Sequence, residues 1–172
     1  MGCDGSSPGL FQRDSDKPCG MRLFVSLIGF VVLVTVVAGT AAIWGPDAWY
    51  AGLHKPSWNP PGWVFGPVWG ILYLAIATAG CCLWQAEASV SRTVSKWLWA
   101  AQMALNAAWT PLFFGLHQPL LALLDILLLV AVIGASFGWF RQSSRLAAWL
   151  FVPYLLWVGF ATALNAAIVI LN

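Results

Sequence analysis

Charge is the scarcest commodity in this chain of 172 residues. Lys and Arg number eight, Asp and Glu six, and together they make up 8% of the sequence. A soluble domain carries about a quarter charged residues, and mean hydropathy here is +0.80. Such a chain belongs in lipid, where each spanning backbone is a helix or a closed barrel. The net charge of +2 argues against a nucleic-acid partner. Cysteine is also sparse. Cys3 and Cys19 lie near the N-terminus, and Cys81-Cys82 are adjacent, pointing to different helix faces. They make a poor metal pair and read as small apolar fillers. His54 and His117 have no further His or Cys nearby in sequence, so no metal site is expected. Also missing are a Gly-x-x-x-x-Gly-Lys loop, a Gly-x-Ser-x-Gly elbow and a His-Glu-x-x-His pair. No span offers paired charges for a proton-coupled pump, and the last has no lysine for a Schiff base.

Apolar runs, by contrast, are abundant. A hydrocarbon core about 30 Å thick needs roughly 20 helical residues. Five segments qualify: 23–43, 63–84, 97–116, 119–140 and 146–171. None shows the period-2 alternation of a transmembrane barrel. The expected architecture is therefore all-α, an integral membrane bundle of five transmembrane helices over residues 23–172. A polar, disordered tail precedes it over residues 1–22. Ala38-Gly39-Thr40-Ala41-Ala42 resembles a signal-cleavage site, but the apolar run before it is longer than a signal core and reads as a span. Met1-Gly2-Cys3 fits a short myristoylation pattern, common by chance.

With five spans, Arg13, Lys17, Arg22, Arg92, Lys96, Arg141 and Arg145 share one side of the membrane, and Lys55 alone falls on the other. That bias fits the positive-inside rule. It places the tail in the cytoplasm if the membrane is a bacterial plasma membrane. Gly134 and Gly138 in the fourth span read as a packing seam, and Asp125 is the only acid inside a span.

Between the first two spans, residues 58–69 hold Trp58, Trp63 and Trp69 with Pro60, Pro61 and Pro67. Prolines fix φ and cannot continue a helix from upstream, so this reads as a rigid aromatic loop feeding a helix, able to cover a pocket. In the second span Phe65, Trp69 and Tyr73 recur every four residues. In the third, Ala100, Ala104 and Ala108 form a small-residue seam suited to close helix approach or a homodimer. Gln102, Asn106, Trp109 and Phe113 take the opposite face at 100° per residue. In the fifth, Tyr154, Trp157, Ala161 and Asn165 share a face, preceded by Pro153. These stripes either pack together through their amides and rings, or line a cavity for a large flat ligand.

Four pieces in this order and spacing resemble the tryptophan-rich sensory protein / translocator protein (TspO/MBR) family, also called peripheral-type benzodiazepine receptors. They are Lys55-Pro56-Ser57-Trp58-Asn59-Pro60-Pro61, Trp63-Val64-Phe65-Gly66-Pro67-Val68-Trp69 with Leu72-Tyr73, Gln102 to Gly115, and Pro153-Tyr154-Leu155-Leu156-Trp157 with Ala163-Leu164-Asn165. The resemblance implies a five-helix bundle binding tetrapyrroles such as protoporphyrin IX and haem as ligands, with no obligatory cofactor and frequent homodimers. It further implies sterol- or drug-like ligands in animals, and regulation of pigment or stress responses in bacteria. The membrane would be a bacterial cell membrane or a mitochondrial outer membrane. Carried over by motif, Trp69 and Trp157 would flank the porphyrin, with Asn106, Trp109 and Ala161 lining the pocket. The same two tryptophans are the candidates for a light-dependent porphyrin oxidation, and a transporter is the further alternative. The family's animal members carry a Tyr and an Arg after the final Leu-Asn, and residues 166–172 here have neither.

Overall fold

The computed structural model describes residues 19–172, with side chains from Phe24 onward. The expected tail, apart from residues 19–22, lies outside the described residues, as do Met1-Gly2-Cys3. Seven α-helices follow one another: α1 (Cys19–Ala38), α2 (Thr40–Ile43), α3 (Ala48–Gly52), α4 (Phe65–Gln85), α5 (Val90–Thr110), α6 (Pro119–Ser143) and α7 (Arg145–Leu171). No strand occurs among the described residues. Four segments are long and apolar enough to cross a membrane: Phe24–Ile43, Gly62–Gln85, Pro119–Ser143 and Arg145–Leu171. The fifth long helix, α5, is more polar, with Arg92 and Lys96 in its first two turns, and it packs extensively on α6.

The long helices form a ring. Helix α1 packs on α4, α4 on α7, α7 on α6 and α6 on α5, with lighter contacts from α5 back to α4 and α1. Helix α1 is peripheral: Val34 and Val37 are buried, while Phe24, Val25, Val32 and Val36 are all more than half exposed. The core runs through Leu72, Ile76, Trp99, Met103, Ile126, Leu129, Ile133, Phe140, Phe151, Tyr154 and Val158. Gly80 permits a close approach of helices. A Cβ there would lie 2.8 Å from Phe30 Cδ1 and 2.9 Å from Trp99 Cε2, so rings from α1 and α5 close over it.

Capping explains where the helices start. Ser89 accepts the Arg92 N–H at 3.0 Å and opens α5 seven residues earlier than the apolar run suggested. Ser144 accepts the Ala147 N–H at 3.3 Å at the head of α7. Pro119 stands in the first turn of α6, where its missing N–H costs nothing. Helix α5 ends at Thr110. Pro111–Gly115 then forms one wide π turn, closed by the Leu116 N–H on the Pro111 carbonyl at 2.8 Å. His117, at φ 54°, completes the reversal and is the only described non-glycine residue with positive φ. Helix α7 runs through Pro153 without a break. Gly134 and Gly138 have open space around them and are exposed. They do not form a packing seam within the chain, because α6 turns that face away from its neighbours.

Candidate functional site

The two faces of α5 separate as its helical period requires. Ala100 and Ala104 are exposed and Ala108 is half-buried, while Gln102, Asn106 and Phe113 are buried. The buried amides are consumed by hydrogen bonds. Tyr73 donates its hydroxyl to Asn106 Oδ1 at 2.8 Å, Asn106 Nδ2 donates to the Tyr154 hydroxyl at 2.9 Å, and Tyr154 donates to Gln102 Oε1 at 3.0 Å. This chain ties α4, α5 and α7 together at the centre of the bundle. Trp69 lies against it, its ring centroid 5.3 Å from Tyr73 and 6.3 Å from Tyr154. One donor is left over, because Gln102 Nε2 is buried with no partner.

A second group lies toward the loop end of the bundle. Trp109 stacks on Phe113 at 5.0 Å and 18°, and donates its Nε1–H to Asn165 Oδ1 at 3.2 Å. Asn165 in turn donates Nδ2–H to the Pro119 carbonyl at 2.9 Å, which fixes α7 to the start of α6. Ala161 is half-buried against the main core.

The third group borders open space. A groove of about 390 Å³ runs between α4 and α7, lined by Val68, Ile71, Leu72, Pro153, Leu156, Trp157 and Phe160. Ile71 and Leu156 are about 70% exposed, so the groove opens on the outer face of the bundle. Trp157 is half-buried, and its Nε1–H is buried without an acceptor. A buried indole N–H normally finds a partner. Phe65 meets Trp157 edge-on at 5.8 Å, Phe160 lies 5.5 Å from it, and Trp58 of the loop reaches Phe160 at 5.7 Å. Trp63 stands apart at 77% exposure. Groove residues Val68, Leu72 and Leu156 stand in the quoted motifs but, like Phe160, were not read as site residues. Their spacing, four apart on each helix, matches that of the stripe residues, but their apolar side chains look like any lipid-facing surface.

Three contacts hold the segment that precedes the aromatic loop, residues 44–54, over this end of the bundle. Asn172 clasps the backbone of His54, accepting its N–H at 2.9 Å and donating to its carbonyl at 3.0 Å. His117 Nε2 lies 3.0 Å from Asp47 Oδ2, and Trp49 stacks on the His117 ring at 4.3 Å. Trp44 lies so close to Gly115 that an added Cβ would meet its ring at 2.7 Å. Asp47 also caps α3 through the Tyr50 N–H at 3.0 Å. That bond, followed by His117, holds its carboxyl below the usual aspartate range. Asp125, on α6, is half-buried and its Oδ2 has no hydrogen-bond partner. No cluster of three or more metal-ligating side chains occurs among the described residues.

Known proteins resemble this chain in sequence. The sequence model of the TspO/MBR family matches residues 23–171. The human translocator protein is 46% identical over 119 residues, covering 68% of this chain and 70% of its own length. A tryptophan-rich sensory protein from Cereibacter sphaeroides is 38% identical over 143 residues, covering 83% and 89%. The tryptophan-rich protein TspO of Chlorobaculum tepidum is 42% identical over 137 residues, covering 78% and 87%. With its ring of long apolar helices and a family match over nearly the whole described chain, this protein belongs to the TspO/MBR family of integral membrane proteins.

Proposed function

We propose that the protein is a membrane receptor or sensor whose ligand is a tetrapyrrole such as protoporphyrin IX or haem, with sterol- or drug-like molecules as lesser competitors, and that occupancy regulates pigment or stress responses. The observation that carries this reading is the unpaired Trp157 N–H at the wall of the α4–α7 groove. A flat macrocycle buries a broad apolar face against the Trp157 and Phe160 rings, and a turn of the Trp157 ring brings its buried N–H to a carboxylate or ring nitrogen of the ligand. A volume of about 390 Å³ falls within the range of small-molecule sites. Because the groove opens outward, the ligand enters from the bilayer. Trp58 on the loop and Phe65 at the head of α4 brace the ring pair from the loop end. Trp69, Tyr73, Gln102, Asn106 and Tyr154 form the rigid floor behind it, Trp109 and Asn165 fix α7 against α5 and α6, and Ala161 packs against the core.

The same reading assigns the outward-facing Ala100, Ala104 and Ala108 to a homodimer contact, in a bacterial cell membrane or a mitochondrial outer membrane. Titration of the purified protein with protoporphyrin IX, followed by tryptophan quenching, tests the proposal. Saturable binding that weakens in Trp157→Ala and Trp69→Ala supports it. Non-saturable quenching, equal to that of free tryptophan in the same detergent, refutes it. Illuminating the complex separates a binder from a photo-oxidising enzyme: a protein-dependent open-chain product would assign catalysis to the two tryptophans. Directional uptake into liposomes would instead assign transport.

A further inference from the structure

At the end of the bundle opposite the aromatic loop, two neighbouring cations on α5 have no counter-charge among the described residues. Arg92 and Lys96 stand one turn apart on α5, immediately after the Ser89 cap. Lys96 Nζ lies 4.8 Å above the Trp84 ring, and Trp84 packs edge-on against Trp99 at 5.6 Å, which fixes the height of the amine. Arg92 is half-buried and its Nε is buried with no hydrogen-bond partner. Neither residue forms an ion pair among the described residues. The acid nearest in sequence, Glu87, lies in the exposed loop between α4 and α5, and the one ion pair among the described residues is the distant His117–Asp47 contact. Two like charges are thus held together, one of them with a desolvated N–H, and nothing in the described chain neutralises them.

Depth identifies what does. Trp84, Trp97, Trp139 and Trp149 encircle this end of the bundle and are exposed by 37%, 73%, 38% and 63%. Indole rings of that kind mark the boundary between acyl chains and headgroups. The two cations therefore sit at the level of lipid phosphates, beside apolar helix faces that accept acyl chains. We propose that Arg92 and Lys96 form a site for the phosphate of an anionic phospholipid. The terminal Nη–H groups of the Arg92 guanidinium donate to the phosphate oxygens, Lys96 supplies the second charge, and the exposed Trp97 ring lies at the glycerol level.

Lipid competition read by native mass spectrometry on the full chain tests this, with phosphatidylglycerol against phosphatidylcholine. Each basic residue near a membrane surface favours an anionic lipid by about fivefold, so the pair favours phosphatidylglycerol by about 30-fold. Arg92→Gln with Lys96→Gln is expected to lose most of the preference. Arg141→Gln with Arg145→Gln, which removes the same charge from the same end, is expected to retain most of it. Arg92→Lys keeps the charge but lacks the guanidinium fork, and is expected to lose part of the preference. It also serves if the double variant fails to fold, as judged by its helical circular dichroism. Inorganic phosphate is expected not to displace the lipid at equal concentration. Equal losses in the two double variants, an Arg92→Lys protein identical to wild type, or displacement by free phosphate would each overturn the site.

Discussion

Replacing Tyr154 with phenylalanine removes one oxygen from the centre of the bundle and strands two partners. The residue is fully buried, and its hydroxyl both accepts from Asn106 Nδ2 at 2.9 Å and donates to Gln102 Oε1 at 3.0 Å. In a soluble core each stranded group would cost about 1–3 kcal/mol. In a bilayer the unfolded helices also find partners, and interhelical hydrogen bonds average about 0.6 kcal/mol with a ceiling near 1.7. Two bonds therefore set an expected loss of about 1–3 kcal/mol for Tyr154→Phe. Tyr73→Phe loses a single, part-buried bond to Asn106 Oδ1 and should cost about half as much or less. Unfolding from mixed micelles by added dodecyl sulfate, followed by helical circular dichroism, measures both on one scale. A Tyr154→Phe protein as stable as wild type, or a Tyr73→Phe protein that loses more, would mean that the relay does not bind the helices together.

Gly80→Ala forces a Cβ to within 2.8 Å of Phe30 and 2.9 Å of Trp99, an overpacking expected to cost about 1–3 kcal/mol. Gly134→Ala meets nothing within 4 Å and is expected to stabilise α6 by up to about 1 kcal/mol through helix propensity. The same micelle assay reads both, and equal effects would contradict the packing described at Gly80. Asp47 titrates below its usual value because it caps α3 and contacts His117. Its contribution is therefore complete above about pH 4 and is lost as pH falls through the lower folded value. The hydrogen-exchange protection factor of the Tyr50 amide should fall on acidification, and should no longer do so in Asp47→Asn. Protection that is flat with pH in the parent would remove the cap.

Apolar run length carried most of the fold in the sequence, because a bilayer leaves the backbone few choices. The ends of α5 were hidden for two different reasons. Arg92, Thr93, Ser95 and Lys96 make its first turns polar, so the apolar run starts only at Trp97, although Ser89 caps the helix well before. At the other end Pro111 diverts the chain into a π turn. The faces of α5 and α7 were legible from their 100° steps. Which amide meets which phenol was not, since that depends on the ring order of the helices rather than on any local pattern. The groove was the least legible feature. Its walls are Val, Ile, Leu and Phe residues indistinguishable from lipid-facing side chains, and only the unpaired Trp157 N–H sets it apart. Similarly, the Asp47–His117 contact joins residues 70 positions apart, and the clasp of Asn172 on His54 spans 118.

The most direct measurement is the affinity for protoporphyrin IX of Trp157→Phe, a change that keeps an aromatic ring in the groove and deletes its N–H. If that N–H meets the ligand, the dissociation constant rises by about tenfold or more, the least that one hydrogen bond to a charged acceptor is worth, while helical content stays unchanged. An affinity equal to the parent's, in a variant that remains folded, would contradict binding at the α4–α7 groove.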